Sequence, residues 1–193
     1  MDFYKREELE NLLGGMGSNL NIHRSVVFFN PKKIFLGSNV RIDCFCLLSA
    51  GEEGIHIGDH VHVGAGSYLF GGGGKIVLNS FANISSRVSL FTSSDDFVEG
   101  YMTNPTVPSK YKKVLNGPVT LEKHALVGSG SIVLPNVKID VGGVVGALSL
   151  VKKSVNSFEI VCGTPAKQVR NATRGTLLLK LEQEFLNDKN EKI

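Results

Sequence analysis

Between Leu121 and Asn156 the sequence divides into six consecutive blocks of six: LEKHAL, VGSGSI, VLPNVK, IDVGGV, VGALSL and VKKSVN. An aliphatic residue opens each block, at Leu121, Val127, Val133, Ile139, Val145 and Val151. The fifth place is small or β-branched throughout: Ala125, Ser131, Val137, Gly143, Ser149 and Val155. A helix returns a side chain to one face about every 3.6 residues and a strand every 2, so neither alone produces a period of six. A short fixed period defines a solenoid, in which each rung buries its apolar corner against the next. The register continues upstream. Leu36, Ile42 and Leu48 are spaced by six, as are Ile57, Val63 and Leu69, then Leu78, Ile84 and Leu90. Three blocks per turn predict a triangular coil of short parallel strands, with rungs stacked at about 4.8 Å.

From one upstream triplet to the next the step is 21 rather than 18, so three residues enter after each third block. Two of these insertions are glycine-rich, GEEG at 51–54 and GGGGK at 71–75, as tight departures from a rung require. The third opens into a long loop without sixfold pattern, over about residues 96–120. Placing all three after the third block puts them at one corner of the coil. GGGGK is not a nucleotide loop: Leu69 stands where its first glycine belongs, and Ile76 replaces the Ser or Thr.

The open ends of such a stack need caps, because bare strand edges invite pairing with other chains. FYKREELENLL at 3–13, ended by Gly14-Gly15, reads as a short helix, and TLLLKLEQEFL at 176–186 as an amphipathic one packed on the coil or on a neighbouring subunit. The expected organisation is therefore a helical cap over 1–20, the coil over 21–160, and a C-terminal segment with a helix over 161–193. Length and composition suit this: 193 residues form a core without staples, and 22 glycines supply the corners. A net charge of +3 with no basic stripe interleaved with aromatics argues against nucleic acid. Cys44, Cys46 and Cys162 show no ligand spacing and read as buried free thiols. No run is long and apolar enough for a membrane span, and MDFYKREELE is charged where a leader would be apolar, so a soluble, cytoplasmic protein is expected.

The hexads, the loop that leaves the coil, and the ending VCGTPAKQVR together resemble the hexapeptide-repeat acyltransferases, over about residues 20–172. Within that family the chain is most similar to sugar O-acetyltransferases of the galactoside and maltose type. The resemblance implies an all-β solenoid, a left-handed parallel β-helix with short terminal helices. It also implies a homotrimer with interfacial active sites, acetyl-CoA along the outside of a coil, no metal, and direct acetyl transfer to a sugar hydroxyl in polysaccharide or glycan modification. Two rival readings are an N-acetyltransferase acting on a nucleotide-linked amino sugar, and a trimeric scaffold without catalysis.

Direct acyl transfer needs a base, donors for the oxyanion and a cradle for the carrier. In the galactoside-type enzymes the base is a histidine at the root of the loop, and VSLFTSSDD places Asp95 there. A carboxylate is about two to three pKa units less basic than imidazole unless burial or a like charge raises it, and neighbouring Asp96 is a candidate for that charge. Loss of the histidine also favours an amine acceptor, which is the better nucleophile once neutral. His124, at the outward fourth place of the first hexad after the loop, is the alternative base. His60 holds the equivalent place two rungs earlier, and the pair His60-x-His62 reads as surface residues. For the cofactor, Gly128, Gly146 and Ala147 permit close approach of the pantetheine arm. Lys152, Lys153, Lys167 and Arg170 offer cations to its phosphates.

Overall fold

A computed structural model describes residues 2–190; the last three residues of the expected C-terminal segment lie outside the described ones. The chain winds into a triangular coil of parallel strands, the left-handed β-helix that the resemblance implies; one helix covers its N-terminal end, and the C-terminal helix, expected as a cap, lies along one corner instead. The first face stacks Gly15–Met16, Ile34–Leu36, Ile55–Ile57, Ile76–Leu78, Val119–Leu121 and Val137–Ile139. The second begins at Asn21–Ile22 and runs to Glu159–Cys162, where Lys167–Thr173 folds back antiparallel on its edge. The third stacks Val27–Phe29, Leu47–Ala50, Tyr68–Gly71, Ser89–Phe91, Ile132–Val133 and Leu150–Val151.

The register is the one the spacing requires. Leu36, Ile57, Leu78, Leu121 and Ile139 fall in one column; Ile42, Val63, Ile84, Val127 and Val145 in the next; Leu48, Leu69, Leu90, Val133 and Val151 in the third. All fifteen are buried, which makes the columns the hydrophobic core. The fifth places also point inward. Where they are serine, the hydroxyl is satisfied by the coil: Ser131 donates to the Gly146 carbonyl at 3.0 Å and accepts the Ser149 N–H at 3.1 Å.

The coil begins earlier than the expected residue 21. Met16, Ile22 and Phe28 form one more triplet, in register with Leu36, Ile42 and Leu48. A step of 20 residues hid it, because the connection contains a short turn at Pro31–Lys33 after Asn30 in the left-handed region. Helix α1, Arg6–Leu12, is shorter than its apolar pattern and drives Leu9 and Leu13 onto the first rung. The long loop is likewise shorter than read. Its stem pairs Ser93–Asp95 antiparallel with Val114–Asn116, and by Val119 the chain has rejoined the first face.

Most corners turn through a residue with positive φ. At the corner between the first and second faces these are Asn19, Asn39, His60, Phe81, His124 and Gly142, with φ between 55° and 66°. Equivalent conformation in successive rungs superimposes their side chains. Asn19 Nδ2 donates to Asn39 Oδ1 at 2.7 Å. Above them the rings of His60, Phe81 and His124 stack with centroids 5.1 and 5.0 Å apart. Helix α2, Leu177–Asn190, lies over this ladder, with Phe185 meeting His60 and Phe81 edge-on and Leu178 and Leu181 beside it.

Candidate active site

All three insertions fall, as the spacing predicts, at the corner between the third and first faces. Asp95 stands there at the end of the loop stem. Its Oδ2 accepts the Asn104 N–H at 3.0 Å, so the carboxylate ties the far side of the loop to its root. Two cavities meet at Asp95. One, of about 440 Å³, lies against Phe97, Leu115, Leu134 and Pro135 and also meets Lys113 and Lys152. The other, of about 390 Å³, is floored by Phe70 and Phe91, whose rings stack at 5.0 Å, and includes Lys112.

Asp96 does a different job. Its Oδ1 accepts the N–H groups of Val98 at 2.8 Å and Glu99 at 3.3 Å, and Lys113 lies 3.6 Å from its Oδ2. The Val98 N–H above all, helped by Glu99 and Lys113, holds the Asp96 carboxyl below the usual carboxylate range. Asp96 therefore folds the loop as a turn residue. Its charge is matched by those donors, so it is not the lone like charge that the sequence offered for raising Asp95.

His124 is not brought to the groove. It occupies the corner between the first and second faces, whereas Asp95 belongs to the corner after the third. The imidazole is covered by α2: Nε2 meets Glu182 Oε2 at 2.7 Å, Lys123 joins the same carboxylate, and Arg174 donates to the His124 carbonyl. Burial pushes the Glu182 carboxyl up, but hydrogen bonds from Lys123 and His124 outweigh it and hold the group below its usual range. The expectation that His124 lines the loop's groove is corrected on this geometry. His62 is also committed, to Asp43 at 2.8 Å and Asn83 at 3.0 Å.

The expected cofactor residues fall into two sets. Gly128, Gly146 and Ala147 share the corner between the second and third faces. A Cβ on Gly128 would sit 2.5 Å from the Ala147 nitrogen, and one on Gly146 would sit 2.9 Å from the Cys162 Cβ, so these glycines answer first to neighbouring rungs. Lys152 lines both the 440 Å³ cavity and a further one of about 410 Å³ at the end of the coil, which Lys153 and Lys167 share. Arg170 lies in the returning antiparallel strand and does not line that cavity. Sequence reasoning missed Lys113, Leu134 and the Phe70–Phe91 pair. The phenylalanines were findable, since they occupy one place in coils 21 residues apart.

Among the described residues no group of three or more His, Cys, Asp or Glu side chains is placed to hold a metal ion. Nor is any helix long and apolar enough to cross a membrane. Of the three cysteines expected to be buried, Cys46 is, and burial pushes its thiol up to about 11, which keeps it protonated; Cys44 is half-buried and Cys162, on the last coil strand of the second face, is exposed.

A parallel β-helix with a loop thrown from one corner is the scaffold of the hexapeptide-repeat acyltransferases. No family model matches the chain. It is 43% identical over 170 residues to the dTDP-4-amino-4,6-dideoxy-D-glucose acyltransferase of Escherichia coli, covering 88% of this chain and 87% of that one. AntD, an N-acyltransferase from Bacillus cereus solved with dTDP and 3-hydroxybutyryl-CoA, superimposes with a TM-score of 0.92 and 39% identity, over 98% of this chain and 100% of that one. A chloramphenicol acetyltransferase of Klebsiella aerogenes is 30% identical over 131 residues, 62% of each chain. The chain belongs to the hexapeptide-repeat acyltransferases, enzymes that take the acyl group from coenzyme A.

Proposed function

We propose that the enzyme acylates the amine of a nucleotide-linked 4-amino-4,6-dideoxy sugar, of the kind named for its E. coli relative and bound in an AntD complex. The observation that carries this reading is Asp95. A carboxylate at the loop root, hydrogen-bonded by Asn104 and bordering two cavities, suits an amino group better than a hydroxyl. A hydroxyl must lose its proton as it attacks and so needs a base near neutral pKa; a neutral amine attacks unaided and sheds a proton afterwards. In this scheme the amine nitrogen forms a bond to the thioester carbonyl carbon while Asp95 accepts one N–H. The tetrahedral intermediate then expels the coenzyme A thiolate as the C–S bond breaks. The proton released by nitrogen goes to that thiolate or to solvent.

The cavity that Lys152, Lys153 and Lys167 share suits the carrier's phosphates, and the aromatic floor beside Lys112 suits the nucleotide sugar. The solved AntD variants alter a serine and an aspartate ten residues apart, a spacing that Ser85 with Asp95 and Ser86 with Asp96 both keep here, of which Asp95 is the one that borders both cavities and is not used up in a turn. Ser85 and Asp95 stand on different corners of one coil, at opposite ends of the third face. A site that uses both is completed by a neighbouring copy, which supports a homotrimer. The third face offers the surface for it, with Val27, Phe29, Tyr68 and Ile132 exposed. Co-substrates of this kind, an acyl-CoA and a nucleotide sugar, support a cytoplasmic location.

The test is thiol release from acetyl-CoA with dTDP-4-amino-4,6-dideoxyglucose against sugars offering hydroxyls alone. Turnover confined to the amino sugar is expected. Turnover with hydroxyl acceptors and none with the amine would restore the O-acetyltransferase reading.

A further inference from the structure

Acyl transfer also needs a donor for the thioester oxygen as the tetrahedral intermediate forms, and Asp95, an acceptor, is not one. The outer surface of the second face changes character at one rung. Its outward side chains in successive coils are Arg41, His62 and Asn83, then Leu126, Val144 and Ile160. The polar half is a single network. Asp43 accepts from Arg41 Nε at 2.7 Å and from His62 Nε2 at 2.8 Å, while His62 Nδ1 lies 3.0 Å from Asn83 Oδ1. A carboxylate and an amide oxygen only accept, so the imidazole donates from both nitrogens and holds the Asn83 amide with Nδ2 turned outward. Among the described residues nothing accepts from that Nδ2, and nothing engages the hydroxyl of Ser85, two positions further along the chain.

We infer that Asn83 Nδ2 hydrogen-bonds the thioester carbonyl oxygen during transfer, and that His62, locked by Asp43 and Arg41, is the positioning residue that aims it. The inference rests on the acyl-transfer and trimer readings above and adds an oxyanion donor to them. With the third faces turned to the three-fold axis, each groove between copies is walled by the second face of one and the first face of the next. Rotation about an axis parallel to the coil keeps like rungs level, so Asn83 and Ser85 stand at the height of Asp95 of the partner subunit. From there Leu126, Val144 and Ile160 run beside Gly128 and Gly146, an apolar wall that suits the pantetheine arm. The thioester at the end of that arm lies where the wall meets Asn83. Attack by the amine puts the carbonyl π electrons on oxygen, where the Asn83 N–H stabilises them. Their return re-forms the C=O bond and expels the thiolate.

The experiment measures kcat and KM separately with acetyl-CoA and whichever acceptor, amine or hydroxyl, the wild type turns over, so a wrong acceptor leaves the test standing. Asn83→Ala is expected to lower kcat by about 10²- to 10³-fold, the loss typical of one oxyanion donor, with KM for acetyl-CoA nearly unchanged. Asn83→Asp keeps the acceptor that His62 needs and loses only the donor, so it should fall at least as far with its melting temperature preserved. The asparagine side chain carries an amide nitrogen at the place of imidazole Nδ1, and glutamine carries one at the place of Nε2. His62→Asn should therefore retain most of kcat, while His62→Gln loses most of what Asn83→Ala loses. A kcat within about threefold of wild type in Asn83→Ala overturns the inference, as does a loss confined to KM. Equal kcat in the two His62 variants removes His62 as the positioning residue. If neither acceptor reacts, slow hydrolysis of acetyl-CoA to acetate and coenzyme A uses the same oxyanion, and a rate unchanged by Asn83→Ala sinks the donor role.

Discussion

Replacing Asp95 by asparagine removes the charge at the loop root while keeping an oxygen in place. Oδ1 of the new side chain still accepts the Asn104 N–H, which Asp95 takes at 3.0 Å, so the loop stays anchored. What is lost is the charged acceptor for the attacking amine. A hydrogen bond to a charged group contributes about 1.5–3 kcal/mol, which corresponds to roughly 10- to 150-fold in rate. The assay is steady-state thiol release with dTDP-4-amino-4,6-dideoxyglucose, with melting temperature and coenzyme A binding measured on the same preparation. A fall in kcat/KM within that range, with both controls unchanged, is expected. The rise of rate with pH should survive in the variant, because it follows the acceptor's own amine. A value within about threefold of wild type would refute the role given to Asp95. A loss beyond about a thousandfold would make it a general base instead of an orienting acceptor, since general bases contribute about 10²- to 10⁴-fold. Asp95→Ala, which also loses Asn104, should loosen the loop and lower the melting temperature as Asp95→Asn does not.

Other consequences follow from the coil and its strap. Leu90→Ala removes a fully buried side chain from the third column and should cost about 2–5 kcal/mol, lowering the melting temperature measured by circular dichroism by about 4–20 °C. Gly128→Val should destabilise markedly, because its Cβ meets the Ala147 backbone, whereas Gly72→Ala, with open space around it, should leave the melting temperature within a degree or two. The Glu182 carboxyl is held below its usual 4.5, so its contribution is present above that pH and is lost as pH falls through the lower folded value. Hydrogen exchange of 177–190 should therefore rise on acidification below about pH 4.5, and Glu182→Gln should show raised exchange already at pH 7. Unchanged exchange in that variant would show that the apolar contacts of Leu178, Leu181 and Phe185 hold the helix without Glu182.

The period of six was enough to assign every core column between Leu36 and Val151, because a buried position in a triangular coil recurs at a spacing that no other element shares. The corner insertions were legible for the same reason: three residues that break a period must leave the coil where the period breaks. The first rung was not, since the turn at Pro31–Lys33 altered the step by two residues and disguised Met16, Ile22 and Phe28. Within the candidate site, Asp95 was located by its place at the loop root. The fates of His124 and Asp96 were not. Outward direction is a local property of a hexad, but which corner a side chain shares with a distant loop depends on how the turns stack, and what covers it depends on helix α2 returning more than fifty residues later. Likewise Lys113 and the Val98 amide, which fix the charge of Asp96, come from the residue just before the far strand of the stem and from the loop itself. The repeat thus determined the scaffold, because burial enforces its own periodicity. The tertiary structure decided which polar groups meet, because their partners are set by coil closure and loop return, neither of which leaves a period in the sequence.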